Sequence, residues 1–413
     1  LGKAKFIIVP LLIIILFSLS WLIVSQIPAD TLSQQINAIS RPYRFDIGKW
    51  EVVALSKELG YLVTGQDEVS PDDTDVVLDY FDNLSRIRGL ESVINAINAG
   101  TRQGDLEAYE GELDALVRRN SEITDTVEKV LEKQIAETMM EQGIYNPWAG
   151  NPESESTFPP VNFILSKPPR LLVVSPRDRI VRIRDITLVP DIEIGTMEDI
   201  EDRISELDYS GLVTGLGGIA TYPSYVTDND GLQFALDIII EEWLHQYLAF
   251  KPLGFLYILD LTGIKRDYDI ATMNETLAGI VSKEIGDIVY NKYYSTGEMQ
   301  TTTLPETEPG FDFNKEMREI RRTVDDMLAR GEIELAEAFM EEKRQVLLDN
   351  GYYIRKLNQA YFAFHGNYAD SPTSIDPIGD EMRQLREESD SLPSFLDTVS
   401  GMTTRQELAE SID

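Results

Sequence analysis

The start of the chain constrains it most. Phe6 to Val24 reads FIIVPLLIIILFSLSWLIV, 19 residues without a charge. At 1.5 Å per residue such a helix is roughly 28 Å long, close to the hydrocarbon thickness of a bilayer. Pro10 falls in its first turn, where helices tolerate proline, and Trp21 lies near the far end, where interfacial tryptophans are common. Lys3 and Lys5 precede the run and acidic residues dominate the chain after it, so the positive-inside rule puts the N-terminus in the cytoplasm and residues 29–413 outside. The expectation is an uncleaved anchor at the cell membrane, in contact with the lipid bilayer through residues 6–24. No other stretch reaches 18 apolar residues, so the protein is expected to be single-pass. The rivals are a buried core helix and a cleaved signal peptide. The latter's apolar core would be unusually long, and SQIPAD offers no clean small-x-small site.

The remainder must fold as a water-facing body. With 413 residues the chain can make two domains, or one large domain with an appendage. Asp and Glu number 71 against 37 Lys and Arg, a formal net charge of -34. Such a polyanion repels phosphate backbones, which argues against a nucleic-acid partner, and it disfavours broad contact with anionic headgroups. Solubility is the plain reading of the acidity. Cysteine is absent, which excludes disulfides, thiolate metal sites, Fe–S clusters and a cysteine nucleophile. His245 and His365 are the only histidines, so a three-histidine zinc site within one chain is impossible.

Hydropathy periodicity divides the body. FDIGKWEVVALSKEL (45–59) suggests a helix. In Asp75–Ala99 and Asp105–Glu141 the apolar residues recur at three- and four-residue steps, and the GTRQG loop between them is short. That pattern predicts an antiparallel helical hairpin within a helical region spanning 29–150. It serves either as a stalk, partner or self-association surface, or simply packs on the rest. YNPWAGNPESESTFPP marks a boundary near 150. Beyond it, NFILSKPPRLLVVSPRDRIVRIRDITLVPDI predicts short strands, and GLVTGLGGIATYPSYVT a further strand pair. From Gly231 onward helices are expected near 231–250, 253–263, 268–293, 313–347, 350–364 and 377–390. The fold class is therefore α+β and mostly helical: an anchor (1–28), the hairpin region, and a domain with a small sheet (151–413).

The most informative stretch is Ile238-Ile239-Ile240-Glu241-Glu242-Trp243-Leu244-His245. On a helix Glu241 and His245 are i and i+4 and share a face, with Glu242 about 100° round from Glu241. This is the geometry of a zinc-peptidase helix, two ligands one turn apart and a glutamate placed to act on a metal-bound water. The competing reading is a pair of solvated surface charges, but IIIEEWLHQYL is too apolar for an exposed helix. Glu275, in Met273-Asn274-Glu275-Thr276-Leu277-Ala278 on a later helix, offers a third ligand. Gly217, Gly218, Ile219 and Ala220 form a strand just before the first of these helices.

This order of edge strand, E-x-x-H helix and N-E-x-x-A helix resembles the gluzincin metallopeptidases, whose motif is H-E-x-x-H followed by a glutamate on a second helix. The segment from Gly331 to Asp370 resembles those of predicted membrane-anchored bacterial aminopeptidases. The likeness covers roughly residues 160–370 and implies a zincin-like fold. It also implies a metal held by Glu241, His245 and Glu275, with Glu242 as general base and a peptide substrate laid along Gly217–Ala220. An oxyanion donor would come from Tyr361, His365 or Tyr368. The first histidine of the motif is Glu241 here. A Glu/His/Glu set carries one more negative charge, which lowers the Lewis acidity of Zn²⁺ and suits Mn²⁺ or Fe²⁺ better than a two-histidine set does.

Other chemistries lack their residues. A di-iron bundle needs a second E-x-x-H, but position 362 is Phe. Neither G-x-S-x-G nor a P-loop lysine motif occurs. Gly215–Ala220 fits a dinucleotide fingerprint loosely and is followed by Thr-Tyr-Pro rather than a helix. The sequence thus predicts an extracytoplasmic metal-dependent peptidase. The alternative is a catalytically inactive zincin-fold protein acting as a binding or structural module.

Overall fold

A computed structural model describes residues 31–48, 69–145, 156–228, 231–295, 311–366, 368, 369, 371 and 373–412. The expected span at Phe6–Val24 and the helix expected over 45–59, apart from its first four residues, lie outside these residues. Among the described residues no helix is long and apolar enough to cross a membrane.

After a short helix α1 (Thr31–Ser40), the chain forms the hairpin, α2 (Thr74–Asn98) and α3 (Leu106–Glu141). Asp105 caps α3, its side chain accepting from the Ala108 amide at 3.2 Å. The two halves of α3 differ. Val127, Val130, Leu131, Ile135 and Met139 are fully buried, whereas Leu106, Tyr109, Leu113 and Leu116 stay partly exposed. The periodicity runs the length of the helix, but only its C-terminal half meets the body. There it joins one continuous core with Leu236, Ile240 and Leu244 downstream, so the hairpin's base does not form a core of its own.

Among the described residues, two three-stranded sheets replace the single small sheet expected. β2 (Arg170–Pro176) lies between β3 (Arg184–Leu188) and β4 (Tyr209–Thr214), antiparallel to both. α4 (Ile194–Ser205) and α1 cover one face of this sheet. The second sheet joins β1 (Phe163–Leu165) in parallel to β6 (Ser224–Val226), with β5 (Gly218–Ile219) antiparallel at the edge. The strand expected along Gly217–Ala220 is therefore two residues long, because pairing with β6 stops at Ile219.

Among the described residues the remaining elements are helices: α5 (Leu232–Leu248), α6 (Pro252–Leu261), α7 (Tyr268–Tyr293), α8 (Phe313–Ala329), α9 (Ile333–Asp349), α10 (Gln359–His365), α11 (Ile378–Glu388), α12 (Leu392–Ser400) and α13 (Arg405–Ser411). The single helix expected over 313–347 is two. Gly331 adopts φ +75, its amide donates to Leu328 O at 2.9 Å, and the Glu332 amide to Met327 O at 3.0 Å. These two bonds satisfy the last carbonyls of α8 and turn the chain, a Schellman stop. The helix expected at 350–364 shortens to α10, because Asn358 caps it by accepting from the Tyr361 amide at 2.9 Å. α12 and α13 were not expected.

Candidate metal centre

α5 is apolar around most of its circumference and is correspondingly buried. That burial carries Glu241 and Glu242 inside, each only 9% exposed. α7 packs beside it, started by Asp267, whose side chain accepts from the Ile270 amide at 3.3 Å. This places Glu275, also buried, opposite His245. Glu241, His245 and Glu275 each offer one ligand atom, and these atoms lie within 4.8 Å of one another. The sequence-predicted triad therefore converges.

The surroundings orient the donors. His245 Nδ1 lies 3.0 Å from Asn274 Oδ1. With that oxygen accepting the Nδ1 proton, Nε2 keeps its lone pair and faces Glu275 Oε2 at 3.6 Å. The Tyr257 hydroxyl, from α6, donates to Glu275 Oε1. Glu275 Oε2 is buried and accepts no hydrogen bond. One oxygen of this carboxylate is thus fixed while the other is left bare beside an imidazole lone pair. A buried anion without a donor is costly, and a cation shared with Glu241 and His245 would resolve it. The donor set fits a divalent ion held by three protein ligands.

Glu242 sits against β5. A Cβ built on Gly218 would fall 2.5 Å from Glu242 Oε1 and 2.6 Å from its Cγ. The missing side chain at 218 is what makes room for this carboxyl. Burial pushes the Glu242 carboxyl well above the usual carboxylate range, and the charges of Glu241 and Glu275 push it the same way. Tyr368 is the other phenol facing the cluster. Burial raises it, followed by the charges of Glu275, Glu241 and Glu242. The Ala369 amide, donating to Thr276 Oγ1 at 3.2 Å, ties this segment to α7.

Tyr361 and His365 are placed differently. Their rings pair with each other, centroids 4.3 Å apart, on α10. Burial alone takes Tyr361 up to about 12 and His365 down to about 4, with no contribution from the carboxylates. Among the described residues, no hydrogen bond or ion pair joins either to Glu241, Glu242 or Glu275. Of the three side chains considered as oxyanion donors, Tyr368 is the one that senses the cluster.

Three contributors escaped the sequence reading: Tyr257, Asn274 as the partner of His245, and Arg182. Arg182 pairs with Asp185 at 2.6 Å, and its charge acts on Tyr257 and Glu275. Beside them opens a cavity of about 350 Å³, lined by Arg182, Asp185, Tyr257, Asp260 and Tyr268 among others. One signal was available: Tyr257 and Asp260 are the only polar side chains in α6, PLGFLYILDL. Comparison with family models, with curated proteins and with solved structures gives no match to this chain.

Proposed function

We propose that this chain is a membrane-anchored, extracytoplasmic metal-dependent peptidase, with residues 6–24 in the bilayer and the folded body outside. The observation that carries the chemistry is the convergence of Glu241, His245 and Glu275 around the bare, buried Glu275 Oε2. Glu241, His245 Nε2 and Glu275 Oε2 would hold the ion. When bound, it supplies Lewis acidity toward a scissile carbonyl and acidifies nearby water, with Zn²⁺ the first choice and Mn²⁺ or Fe²⁺ suited to the extra carboxylate.

The chain's own groups do the rest. Glu242 takes the proton of the attacking water and passes it to the leaving amine. The edge strand Gly218–Ile219, with neighbouring Gly217 and Ala220, pairs with an extended peptide. Tyr257 holds Glu275 so that only Oε2 faces the ion. Tyr368, whose phenol senses the three carboxylates, supports the developing oxyanion.

Glu241 in the place of a histidine favours a second reading, a zincin fold that keeps the groove for binding and no longer hydrolyses. One experiment separates the two. Metal content is measured on the purified full chain and on His245→Ala after dialysis against trace divalent metals, and peptide hydrolysis on the wild type and Glu242→Gln. The peptidase reading expects about one equivalent of metal, lost in His245→Ala, and hydrolysis lost in Glu242→Gln. Metal without hydrolysis would leave the binding module. No metal in either protein would sink both the centre and the mechanism.

A further inference from the structure

The guanidinium of Arg182 is only partly engaged. Arg182 lies in the turn that joins β2 to β3, with its side chain 23% exposed. Its Nε donates to Asp185 Oδ2 at 2.6 Å. A guanidinium has five N–H donors. Among the described residues the other four, on the two terminal nitrogens, make no hydrogen bond. Arg182 lines the cavity of about 350 Å³ beside the metal centre together with Tyr257, whose hydroxyl holds Glu275. A group in that cavity is thus one side chain away from the ligand set. The acids of the cavity, by contrast, are already engaged. Asp185 gives Oδ2 to Arg182, and its Oδ1 is sealed within the protein. Asp260 accepts from the Asp267 amide at 2.8 Å and lies 3.9 Å from Arg266. Asp267 caps α7 through the Ile270 amide and lies 4.0 Å from Lys265. Three acids are therefore matched by three bases. Arg266 is 54% exposed, so water serves its remaining donors. Val181, Ile183, Leu261 and Ala271 make the rest of the lining largely apolar.

We propose that this cavity is a substrate subsite in which Arg182 binds a carboxylate held next to the scissile bond. The inference deepens the peptidase reading and rests on it for the ligand being a peptide. The class of ligand follows from the unspent donors. Donors drawn out of bulk water need acceptors, and the complement of a planar guanidinium fork is a carboxylate, taken by two parallel N–H···O bonds. Fork and acceptor are matched in shape as well as charge, which a lysine would not provide. The apolar lining receives the carbon skeleton that carries the carboxylate. That carboxylate is either the C-terminus of the peptide being cut or an Asp or Glu side chain beside the cut. In both cases the peptides served are acidic at one side of the scissile bond, and Arg182 is the residue that selects them.

The test reads binding, so that it is separate from turnover. Dissociation constants of two matched pairs of probes are measured on the full chain by ligand-observed NMR. N-acetyl-leucine and its amide differ in a terminal carboxylate. N-acetyl-glutamic acid α-amide and N-acetyl-glutaminamide differ in a side-chain carboxylate. The proposal expects the acid of at least one pair to bind about tenfold or more tightly than its neutral partner, and the pair that shows this identifies the source of the carboxylate. Arg182→Met should abolish the preference, and Arg182→Lys, which keeps the charge without the fork, should retain only part of it. Equal binding within both pairs, or no binding of any probe, overturns the proposal. So does a preference that survives in Arg182→Met, because the carboxylate then sits on the metal centre instead. Should Arg182→Met not fold, an undiminished preference in Arg182→Lys overturns it equally. Peptide hydrolysis is followed on the same preparation. A carboxylate preference without hydrolysis supports the carboxylate site and removes the peptidase reading, whereas hydrolysis without any preference removes the subsite and leaves the peptidase.

Discussion

Gly218 and Glu242 can touch because one of them has no side chain. A methyl at 218 would lie 2.5 Å from Glu242 Oε1 and 2.8 Å from Ile238 Cγ2, so an alanine there forces a movement. The nearest obstacle is the end of a flexible glutamate rather than backbone. The fold therefore survives at an overpacking cost of about 1–3 kcal/mol, while the carboxyl leaves its place. Gly218→Ala should keep the metal content of the wild type and lose about 100-fold or more in kcat/KM, the scale of a displaced general base. Metal content and hydrolysis measured on the same preparation check this. Full activity with normal metal would mean that the proton is handled by a group other than Glu242. The resemblance to the gluzincins placed Gly218 with the substrate strand. Its second role appears only when β5 is laid across α5, since no spacing in the sequence relates residues 218 and 242.

At the scale of elements, the contact between α3 and β1 is pinned by one acid. Glu128 is buried and accepts from the Leu165 amide at 2.7 Å. Burial is the main cause that raises its carboxyl to about 8, outweighing that amide. An acid with a raised folded-state value binds its proton more tightly folded than unfolded. Its contribution is thus fully present below about 4.5, its ordinary value, and is lost as pH rises through about 8. Glu128→Gln, which mimics the protonated acid, should be more stable than the wild type above pH 8, with the difference shrinking toward pH 5. Urea midpoints of both proteins across that range decide it, and a wild-type advantage at high pH would show that the ionised carboxylate is the stabilising form. The hairpin that carries Glu128 was legible because a 3.6-residue period is a local signal. The expected ranges 75–99 and 105–141 fall within a residue of the observed ones. Glu241, His245 and Glu275 were legible for a similar reason: two are one turn apart and the third follows in an N-E pair. The break at Gly331 was not, since apolar residues keep helical spacing on both sides of it. α12 and α13 were not, being nine and seven residues long and held by packing on neighbouring helices. Nor was Arg182, whose charge acts on Tyr257 and Glu275 only because the β2–β3 hairpin folds toward α6 and α7.

Over the whole molecule, two electrostatic effects oppose each other as salt is added. Ion pairs weaken, and repulsion within a chain of 71 acidic and 37 basic residues is screened. Many of the pairs are exposed, as in Arg86–Glu112 at 60% and 47% and Lys167–Asp191 at 54% and 78%. Such pairs are worth about 0–1 kcal/mol each, so screening them removes little. The pairing of Arg355 and Lys356 with the buried Glu201 is partly shielded from salt by the protein around it. The repulsion has no such limit. Even if every Lys and Arg were paired, 34 carboxylates would remain in surplus. At 0.01 M salt the screening length is about 30 Å, so these charges act on one another across much of the body; at 0.1 M it is about 10 Å. Repulsion relaxes when the chain expands, so screening it favours the folded state. The urea midpoint of the full chain in a nonionic detergent should therefore rise as NaCl increases from 0.01 to 0.5 M, with an unchanged slope against urea. Urea is the right denaturant because it adds no ions of its own. A midpoint that falls with salt would mean that the ion pairs outweigh the surplus charge. The same surplus predisposes the surface toward cations, including the divalent ion proposed for Glu241, His245 and Glu275, whose capture should slow over the salt range in which the fold gains stability.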